Sequence, residues 1–317
     1  MSTTDVTSAP GPVPPPFAWL VDDAALFPPG DAPMPRALSE HRGHRRESWA
    51  GLVDAFVVGD RRLPELGQAL EQTPDPGQDP MPLRVVVAGG AGALEPAVTW
   101  AQRLPETTLR GVEIALRDEE DLAHNARRVL AAVDQLIATG ALADEVETYV
   151  EMPRLASPGD PGHGWLQALD ELAAADLLVK LRTGGVSTDA FPSATELATC
   201  IGAILDRELG FKCTAGLHHA LRHKADDTGF EHHGFLNVLL ATRASLDGAA
   251  GDDVAAVLED RDRDTVLQRW TEHGDDTMTR TRRWFTGFGS CSVLDPLQDL
   301  VDLGLVARTT ADAREAR

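Results

Sequence analysis

A strand–turn–helix unit recurs along this chain, and the repeat constrains the fold more than any other feature. Seven short apolar segments begin 27 to 35 residues apart. Each is followed by a polar or glycine-rich turn and then by a segment with helical periodicity. Strands that alternate with helices form parallel sheets with right-handed crossovers. The even spacing therefore predicts an α/β fold, a closed (β/α)8 barrel. The predicted strands are Ala18–Asp22, Val53–Val58, Arg84–Ala88, Gly111–Leu116, Val146–Glu151, Leu177–Arg182 and Phe211–Ala215.

The eighth strand is expected late in the chain. Apolar residues in Gly234–Leu246 recur at helical spacing, and a further helical region covers Asp253–Trp284. These patterns leave Thr286–Cys291 as strand eight, followed by a closing helix over Asp295–Leu303 with a proline in its first turn. The segment after strand seven is then a long helical insertion. Long loops at the C-terminal face of a barrel usually serve the active site.

The chain of 317 residues, 43% of them hydrophobic, is long enough to form one large barrel. We expect residues 17–305 to form that single domain. The Ser/Thr- and Pro-rich residues 1–16 are predicted to be a disordered leader, and residues 306–317 a flexible tail.

The net charge of −21 argues against nucleic acid and anionic membranes as partners, because both require a basic surface. The start of the chain lacks the basic and apolar regions of a secretory signal, and no apolar run approaches the roughly 18 residues of a spanning helix. The three cysteines are odd in number and form no CxxC pair. This pattern is typical of reduced thiols in a cytoplasmic protein. The sequence is also compatible with a homo-oligomer.

Lysine is rare in this sequence: there are three lysines against 26 arginines. Arginine stays charged, whereas lysine can lose its proton and act as a nucleophile or base. Two of the three, Lys180 and Lys212, lie in consecutive predicted strands. This placement indicates either amine chemistry or two buried lysines that carboxylates neutralise.

Polar residues interrupt the predicted strands four to seven. A polar side chain in an apolar strand either faces the site or is buried without a partner at a cost of several kcal/mol. One polar quadrant of the barrel interior is therefore predicted, and mutual salt bridging is the alternative reading of the same residues. Its members are Glu113, Glu151, Lys180, Arg182 and Lys212.

The functional reading of this quadrant is Schiff-base chemistry. A desolvated lysine beside a second cation has a lowered pKa and can attack a carbonyl carbon. Lys180 and Lys212 would supply the nucleophile and its cationic neighbour, and Glu151 or Glu113 would shuttle the proton.

Substrate contacts are expected at the ends of strands one, six and eight. Arg182 and the turn Thr183-Gly184-Gly185 could hold a carboxylate or phosphate, and Gly289-Ser290-Cys291-Ser292 is a second possible anion cradle. Asp22, at the end of strand one, is either a site carboxylate or part of an ordinary turn. The predicted substrate-binding residues are Arg182, Thr183, Gly184, Gly185, Ser290, Ser292 and Asp22.

The segments around the two lysines resemble strands six and seven of deoxyribose-phosphate aldolase. The resemblance consists of Lys180 followed by Arg182-Thr183-Gly184, and of Lys212 followed by Ala215-Gly216, and it covers about 40 residues. It implies that Lys180 forms the Schiff base and that Lys212 lowers its pKa. In that family the proton-relay residue on strand four is an aspartate, and the nearest equivalent here is Glu113.

Five of the ten histidines lie within 16 residues after strand seven. His218 and His219 follow the strand end directly and are candidates for acid–base or substrate contacts. A divalent metal bound by His218, His219 and His233, with a carboxylate such as Glu151 or Asp22, is the alternative. The spacing matches neither HxH nor HExxH, so no cofactor is favoured and a divalent metal stays possible.

Three functions remain open from the sequence. The first is an aldolase-like lyase that acts through a lysine Schiff base on a small anionic carbonyl compound. The second is a metal-dependent hydrolase or lyase that uses the histidine-rich loop, and the third is a non-catalytic barrel that binds an anionic metabolite.

Overall fold

Eight parallel strands form a closed barrel, so the predicted (β/α)8 fold is confirmed. The structure is a computed structural model, and it describes residues 9–117, 120–226 and 228–309. Neighbouring strands pair in chain order, and β8 closes the barrel by pairing with both β7 and β1. The strands are β1 Val21–Asp23, β2 Val53–Gly59, β3 Met81–Val87, β4 Thr107–Ala115, β5 Glu147–Glu151, β6 Leu178–Arg182, β7 Phe211–Thr214 and β8 Phe285–Ser290.

Helices cover the outside of the barrel and begin at residues suited to helix starts. The Asp121, Ser193 and Asp262 side chains accept hydrogen bonds from backbone N–H groups in the first turns of α4, α6 and α9. The helices are α1 Met34–His44, α2 Leu63–Gln72, α3 Leu94–Ala101, α4 Leu122–Ala138, α5 Gly162–Ala174, α6 Ala194–Leu205, α7 Phe235–Leu246, α8 Gly251–Glu259, α9 Arg263–His273, α10 Asp275–Thr281 and α11 Leu294–Asp302.

The long segment between β7 and β8 is helical, as predicted. It contains α7 to α10, and α8 packs against both α6 and α7. The predicted position of strand eight differs from that of β8 by one residue at each end.

Strand β1 begins later than the predicted Ala18–Asp22. Pro15–Phe17 form a short 3-10 helix, and Trp19 has a φ of 54°, which ends extended backbone before β1 can start. The guanidinium of Arg282 then fixes this segment by donating to the carbonyls of Pro16, Ala18 and Trp19.

Two short antiparallel pairs lie outside the barrel. Ala9–Pro10 pair with Arg308–Thr309, so backbone from the predicted leader meets backbone from the predicted tail. His223–Lys224 pair with Glu231–His232 in the loop after β7. None of the helices in the described residues combines the length and apolar character that crossing a membrane requires.

Side chains alternate along each strand between the barrel interior and the helix layer. In β6, Val179 and Leu181 are buried against the helices, whereas Lys180 points into the barrel. The apolar core therefore lies between sheet and helices, and charged side chains fill much of the interior: Asp22, Arg84, Glu113, Lys180 and Lys212 are each at most 4% exposed.

Candidate active site

Lys180 and Lys212 lie side by side in the barrel interior. The parallel register of β6 and β7 pairs the two residues directly, and neighbouring strands lie about 4.8 Å apart. Both side chains are almost fully buried. The register therefore places two ammonium groups in the same low-dielectric space, where each needs a carboxylate partner.

One carboxylate bridges the two lysines. Glu113 of β4 lies 2.7 Å from Lys180 Nζ through Oε2 and 2.6 Å from Lys212 Nζ through Oε1. Each ammonium also has a second carboxylate. Lys180 Nζ lies 2.9 Å from Glu151 Oε2 at the C-terminal end of β5, and Lys212 Nζ contacts Asp22 Oδ2 of β1.

Ion pairs continue from this centre toward both ends of the barrel. Arg84 Nε lies 3.1 Å from Asp22 Oδ2, and its two terminal nitrogens lie 2.8 Å from Asp54 and 3.0 Å from Glu147. At the C-terminal end, Arg182 Nε donates to Glu151 over 3.0 Å. These groups form one continuous chain of five cations and five carboxylates, which we call the axial network: Arg182, Glu151, Lys180, Glu113, Lys212, Asp22, Arg84, Asp54, Glu147 and Arg110.

The axial network sets the protonation of its members. Burial alone would lower the pKa of the Lys180 ammonium, but the carboxylates of Glu113 and Glu151 outweigh it and raise that pKa above its ordinary value. Burial would raise the pKa values of Glu113 and Glu151, yet Lys180 and the neighbouring cations hold both below the usual range. The expected lowering of the Lys180 pKa is therefore wrong for the resting site, because two carboxylates lie 2.7 and 2.9 Å from the Lys180 ammonium.

Tyr149 lies on the N-terminal side of this centre. Its hydroxyl hydrogen-bonds Thr286 Oγ1 over 2.9 Å, and its ring lies beneath the Arg84 guanidinium and the Lys212 ammonium, at 5.0 Å and 5.3 Å from the ring centroid. Burial raises the pKa of the Tyr149 hydroxyl, so this group keeps its proton. The aromatic face adds a favourable contact for two of the buried cations.

Comparisons with known proteins give matches in structure only. No protein-family model matches the chain, and no curated protein matches its sequence. The chain is similar to a solved deoxyribose phosphate aldolase. That structure, described as the unique tetrameric structure of the enzyme from Aeropyrum pernix, matches 91% of this chain and 93% of its own with 12% identity and a TM-score of 0.48. A likeness at this level assigns neither activity nor residues to this chain.

Arg182 sits at the rim of the C-terminal mouth, where its side chain is 45% exposed. Of the predicted polar quadrant of the barrel interior, Arg182 is therefore the member at the exposed rim. Its Nε is held by Glu151, which it shares with Lys180.

The turn after β6 packs against the turn after β7. The Thr183 hydroxyl is buried and donates to the carbonyls of Thr214 and Ala215. A Cβ on Gly184 would lie 2.8 Å from the Gly216 Cα, and one on Gly185 would lie 2.7 Å from the Ala190 Cβ. These predicted substrate contacts therefore have a packing role in the described structure, where small residues allow the two turns to meet.

His218 lies near the C-terminal end of β8, and His219 points elsewhere. His218 Nδ1 hydrogen-bonds Ser290 Oγ over 3.1 Å, and burial lowers the pKa of His218 to about 4. His219 Nδ1 lies 3.2 Å from an Asp299 carboxylate oxygen on α11, which raises the pKa of His219. His218 and His219 therefore have different partners: His218 contacts Ser290 of β8, and His219 contacts Asp299 of α11.

The second predicted anion cradle, at the end of β8, is held together by its own hydrogen bonds. Ser290 Oγ donates to the Ser292 carbonyl and accepts from the Ser292 N–H, and Ser292 Oγ accepts from the Asp295 N–H at the start of α11.

The three candidate metal ligands are not brought together as a set. His233 is buried, with Nε2 facing the Pro192 carbonyl and Nδ1 facing Arg222. Burial lowers the pKa of His233 to about 4. Across residues 9–117, 120–226 and 228–309, no group of three or more His, Cys, Asp or Glu side chains has an arrangement that could hold a metal ion.

Sequence reasoning missed Arg84, which joins Asp22 to the carboxylates at the N-terminal end. A signal was present, because Arg84 is an isolated charge in an otherwise apolar strand.

A cavity of about 540 Å³ was also missed. It lies at the C-terminal ends of β3 and β4, between the turn Gly89–Gly92 and the side chains of Arg117, Asn125 and Arg128.

Proposed function

We propose that this barrel is an aldolase-like lyase that acts on a small anionic carbonyl compound through a Schiff base on Lys180. The observation that carries the proposal is the pair of buried lysines on neighbouring strands, bridged by the single carboxylate of Glu113. Each lysine also has a second carboxylate of its own, Glu151 for Lys180 and Asp22 for Lys212. Two lysines around one glutamate form a site in which protons can be exchanged between amines.

Lys180 is the proposed nucleophile because its ion pairs lead to the C-terminal mouth. Its second carboxylate, Glu151, ends β5 and pairs with the exposed Arg182, whereas the second carboxylate of Lys212 is the deeply buried Asp22. Active sites of (β/α)8 enzymes lie at the C-terminal ends of the strands. A carbonyl substrate that enters there reaches Lys180 first.

Lys180 must lose a proton before it can attack, and Glu151 is positioned to control this step. Glu151 already contacts Arg182, so a substrate that displaces it from Lys180 leaves it with a cationic partner. Lys180 then keeps only Glu113, which it shares with Lys212. Because the carboxylates are what raise the Lys180 pKa, that pKa falls when the substrate binds.

The reaction then follows Schiff-base chemistry. The neutral amine adds to the carbonyl carbon, and the carbonyl oxygen takes up the proton that Lys180 gave up and leaves as water to give an iminium ion. In the cleavage direction the carbon–carbon bond electrons move to the iminium nitrogen, giving an enamine and a free aldehyde. The hydroxyl proton passes to Glu113 or Glu151, and protonation and hydrolysis of the enamine release the second product.

Arginines at two places near the C-terminal ends of the strands are the proposed contacts for the substrate anion. Arg182 contacts Glu151 through Nε, and its terminal nitrogens donate to no other group within the described residues. Arg117 and Arg128 line the cavity beside Gly89–Gly92, and no carboxylate among the described residues pairs with either. Guanidinium groups suit planar carboxylate and phosphate groups.

A non-catalytic barrel that binds an anionic metabolite is the second candidate. The observation that favours it is that every ionisable group of the axial network already has an opposite charge beside it. Turnover separates the two readings. We expect the purified protein to cleave or form a carbon–carbon bond with some members of a panel of phosphorylated and carboxylated aldehydes, and Lys180→Arg to abolish this activity with the fold intact. Binding of an anion without turnover across the panel would favour the second candidate.

Two further proposals concern location and assembly. We propose that the protein acts in the cytoplasm, because its three cysteines are free. Homo-oligomer formation is a further proposal that light scattering of the purified protein tests.

A further inference from the structure

A cavity of about 230 Å³ opens at the N-terminal end of the barrel, opposite the proposed substrate mouth. The segment before β1 and the start of β8 form its rim, and Arg282 fixes both by donating to their carbonyl groups. The cavity is lined by Ala18, Trp19, Leu20, Asp22, Asp54, Arg84, Arg110, Glu147, Tyr149, Lys212, Arg282, Thr286 and Gly287.

The lining is unusually polar for the interior of a barrel. Asp22, Arg84, Tyr149 and Lys212 are each at most 4% exposed and nevertheless face this cavity. A water molecule needs about 10–15 Å³ of such volume and two to four polar partners. The cavity therefore has room and hydrogen-bonding groups for several waters in a row.

The hydrogen bonding of Arg84 indicates that it has an additional partner in the cavity. Its Nε lies 3.1 Å from Asp22 Oδ2, yet the N–H forms no hydrogen bond of acceptable geometry within the described residues. A buried donor without an acceptor is destabilising, and a water molecule in the cavity would supply the acceptor.

The cavity reaches one lysine of the pair and not the other. Lys212 and Asp22 line it, whereas Lys180 and Glu113 do not. At its outer end stand Asp54 and the half-exposed Arg110. Burial and the charge of Asp22 raise the pKa of Asp54. The cavity thus joins solvent to Lys212 by a path that does not pass the substrate mouth.

We propose that the N-terminal cavity is a water-filled inlet through which Lys212 exchanges protons with solvent. This inference rests on the proposed function for its catalytic meaning: substrate can close the C-terminal mouth and exclude water from Lys180 while Lys212 still exchanges protons from the other end. The inlet itself depends only on the geometry of the cavity.

Lysine-selective NMR tests the inlet without any substrate. The chain has three lysines, so ¹⁵N,¹³C-lysine labelling gives three side-chain signals, which Lys180→Arg, Lys212→Arg and Lys224→Arg assign. Because proton exchange requires contact with water, we expect the Lys212 ammonium protons to exchange at least about tenfold faster than those of Lys180. Ala18→Trp, which places an indole in the cavity rim, should slow the Lys212 exchange by about the same factor and leave Lys180 unchanged.

Two further variants complete the test. Ala18→Met is a smaller plug for the case in which the tryptophan variant does not fold, and it should slow Lys212 exchange to a lesser degree. Val186→Trp, on an exposed residue of the β6 turn, is the matched control and should change neither lysine. Equal exchange of Lys180 and Lys212 in the wild type, or unchanged Lys212 exchange in a folded Ala18 variant, would overturn the inlet. Absence of aldolase activity would leave this result untouched, so the two proposals fail separately.

Discussion

At the scale of single residues, the chemistry of this barrel depends on which carboxylates surround Lys180. A second cation alone would lower the pKa of a lysine, but two carboxylates within hydrogen-bonding distance of Lys180 raise its pKa instead. Catalysis through Lys180 therefore requires that one of these carboxylates be withdrawn. Glu151 is the candidate, because it lies at the rim and has Arg182 as an alternative partner.

Glu151→Gln should lower the pKa of the Lys180 ammonium relative to the wild type, because it removes one of the two carboxylates that raise this pKa. The neutral amine predominates only above its pKa. The pH at which Lys180 begins to react with an aldehyde should therefore be lower in this variant than in the wild type. The pH titration of the Lys180 side-chain signal measures the shift directly.

The matched control is Glu147→Gln. Glu147 belongs to the same axial network but pairs with Arg84 and Arg110 at the N-terminal end. It should leave the Lys180 titration close to that of the wild type. A Lys180 pKa that stays the same or rises in Glu151→Gln would show that Glu151 does not control the nucleophile.

At the scale of elements, the turns after β6 and β7 are held by close backbone packing. Gly184→Ala should destabilise the fold by about 1–3 kcal/mol, because the added methyl group would lie 2.8 Å from both the Gly216 Cα and the Phe191 ring. Gly164→Ala in α5 is the control. Nothing lies within 4 Å of its Cβ position, and alanine favours helices over glycine by roughly 0.5–1 kcal/mol. Chemical denaturation of both variants measures the difference, and equal stabilities would contradict the packing role of Gly184.

Element positions could be predicted from the sequence because hydrophobic periodicity reports them. The strand spacing gave the barrel, and the helical repeat after β7 gave α7 and hence the position of β8. The start of β1 could not be predicted this way. It depends on the backbone of Trp19 and on the tertiary contact with Arg282, which lies more than 260 residues away.

The candidate site was predictable only in part. Strand parity places Lys180, Lys212, Glu113 and Glu151 in the barrel interior, and the structure has them there. Which carboxylate meets which lysine depends on strand register, and β3 and β4 shift register between Leu83 and Arg84. No local pattern encodes that shift. Sequence reasoning therefore gave the lysine pair but not the role of Arg84 or the sign of the Lys180 pKa shift.

At the scale of the whole molecule, the axial network joins the two ends of the barrel. It contains as many carboxylates as cations, so charges buried along the axis are compensated even though the chain as a whole carries a net charge of −21. A buried ion pair contributes little net stability when intact, but removal of one partner leaves an uncompensated charge.

Arg84→Met should therefore destabilise the protein strongly, by about 3–5 kcal/mol, because it leaves Asp22, Asp54 and Glu147 without their shared cation. Arg110→Met removes a cation of the same network whose side chain is 47% exposed, and it should cost less than about 1 kcal/mol. Denaturant unfolding of the two variants tests the comparison. An Arg84 variant as stable as the Arg110 variant would mean that the network is not a structural unit.

The most direct test of the proposed chemistry is borohydride trapping followed by peptide mapping. The protein is mixed with each aldehyde of the panel and reduced, which converts any iminium ion to a stable secondary amine. Arginine-specific digestion then places each of the three lysines in its own peptide, because Arg182, Arg207 and Arg222 separate them. The account predicts a mass increase on the peptide that contains Lys180, and none in Lys180→Arg. Modification of Lys212 or Lys224 instead, or no modification with any aldehyde of the panel, would contradict it.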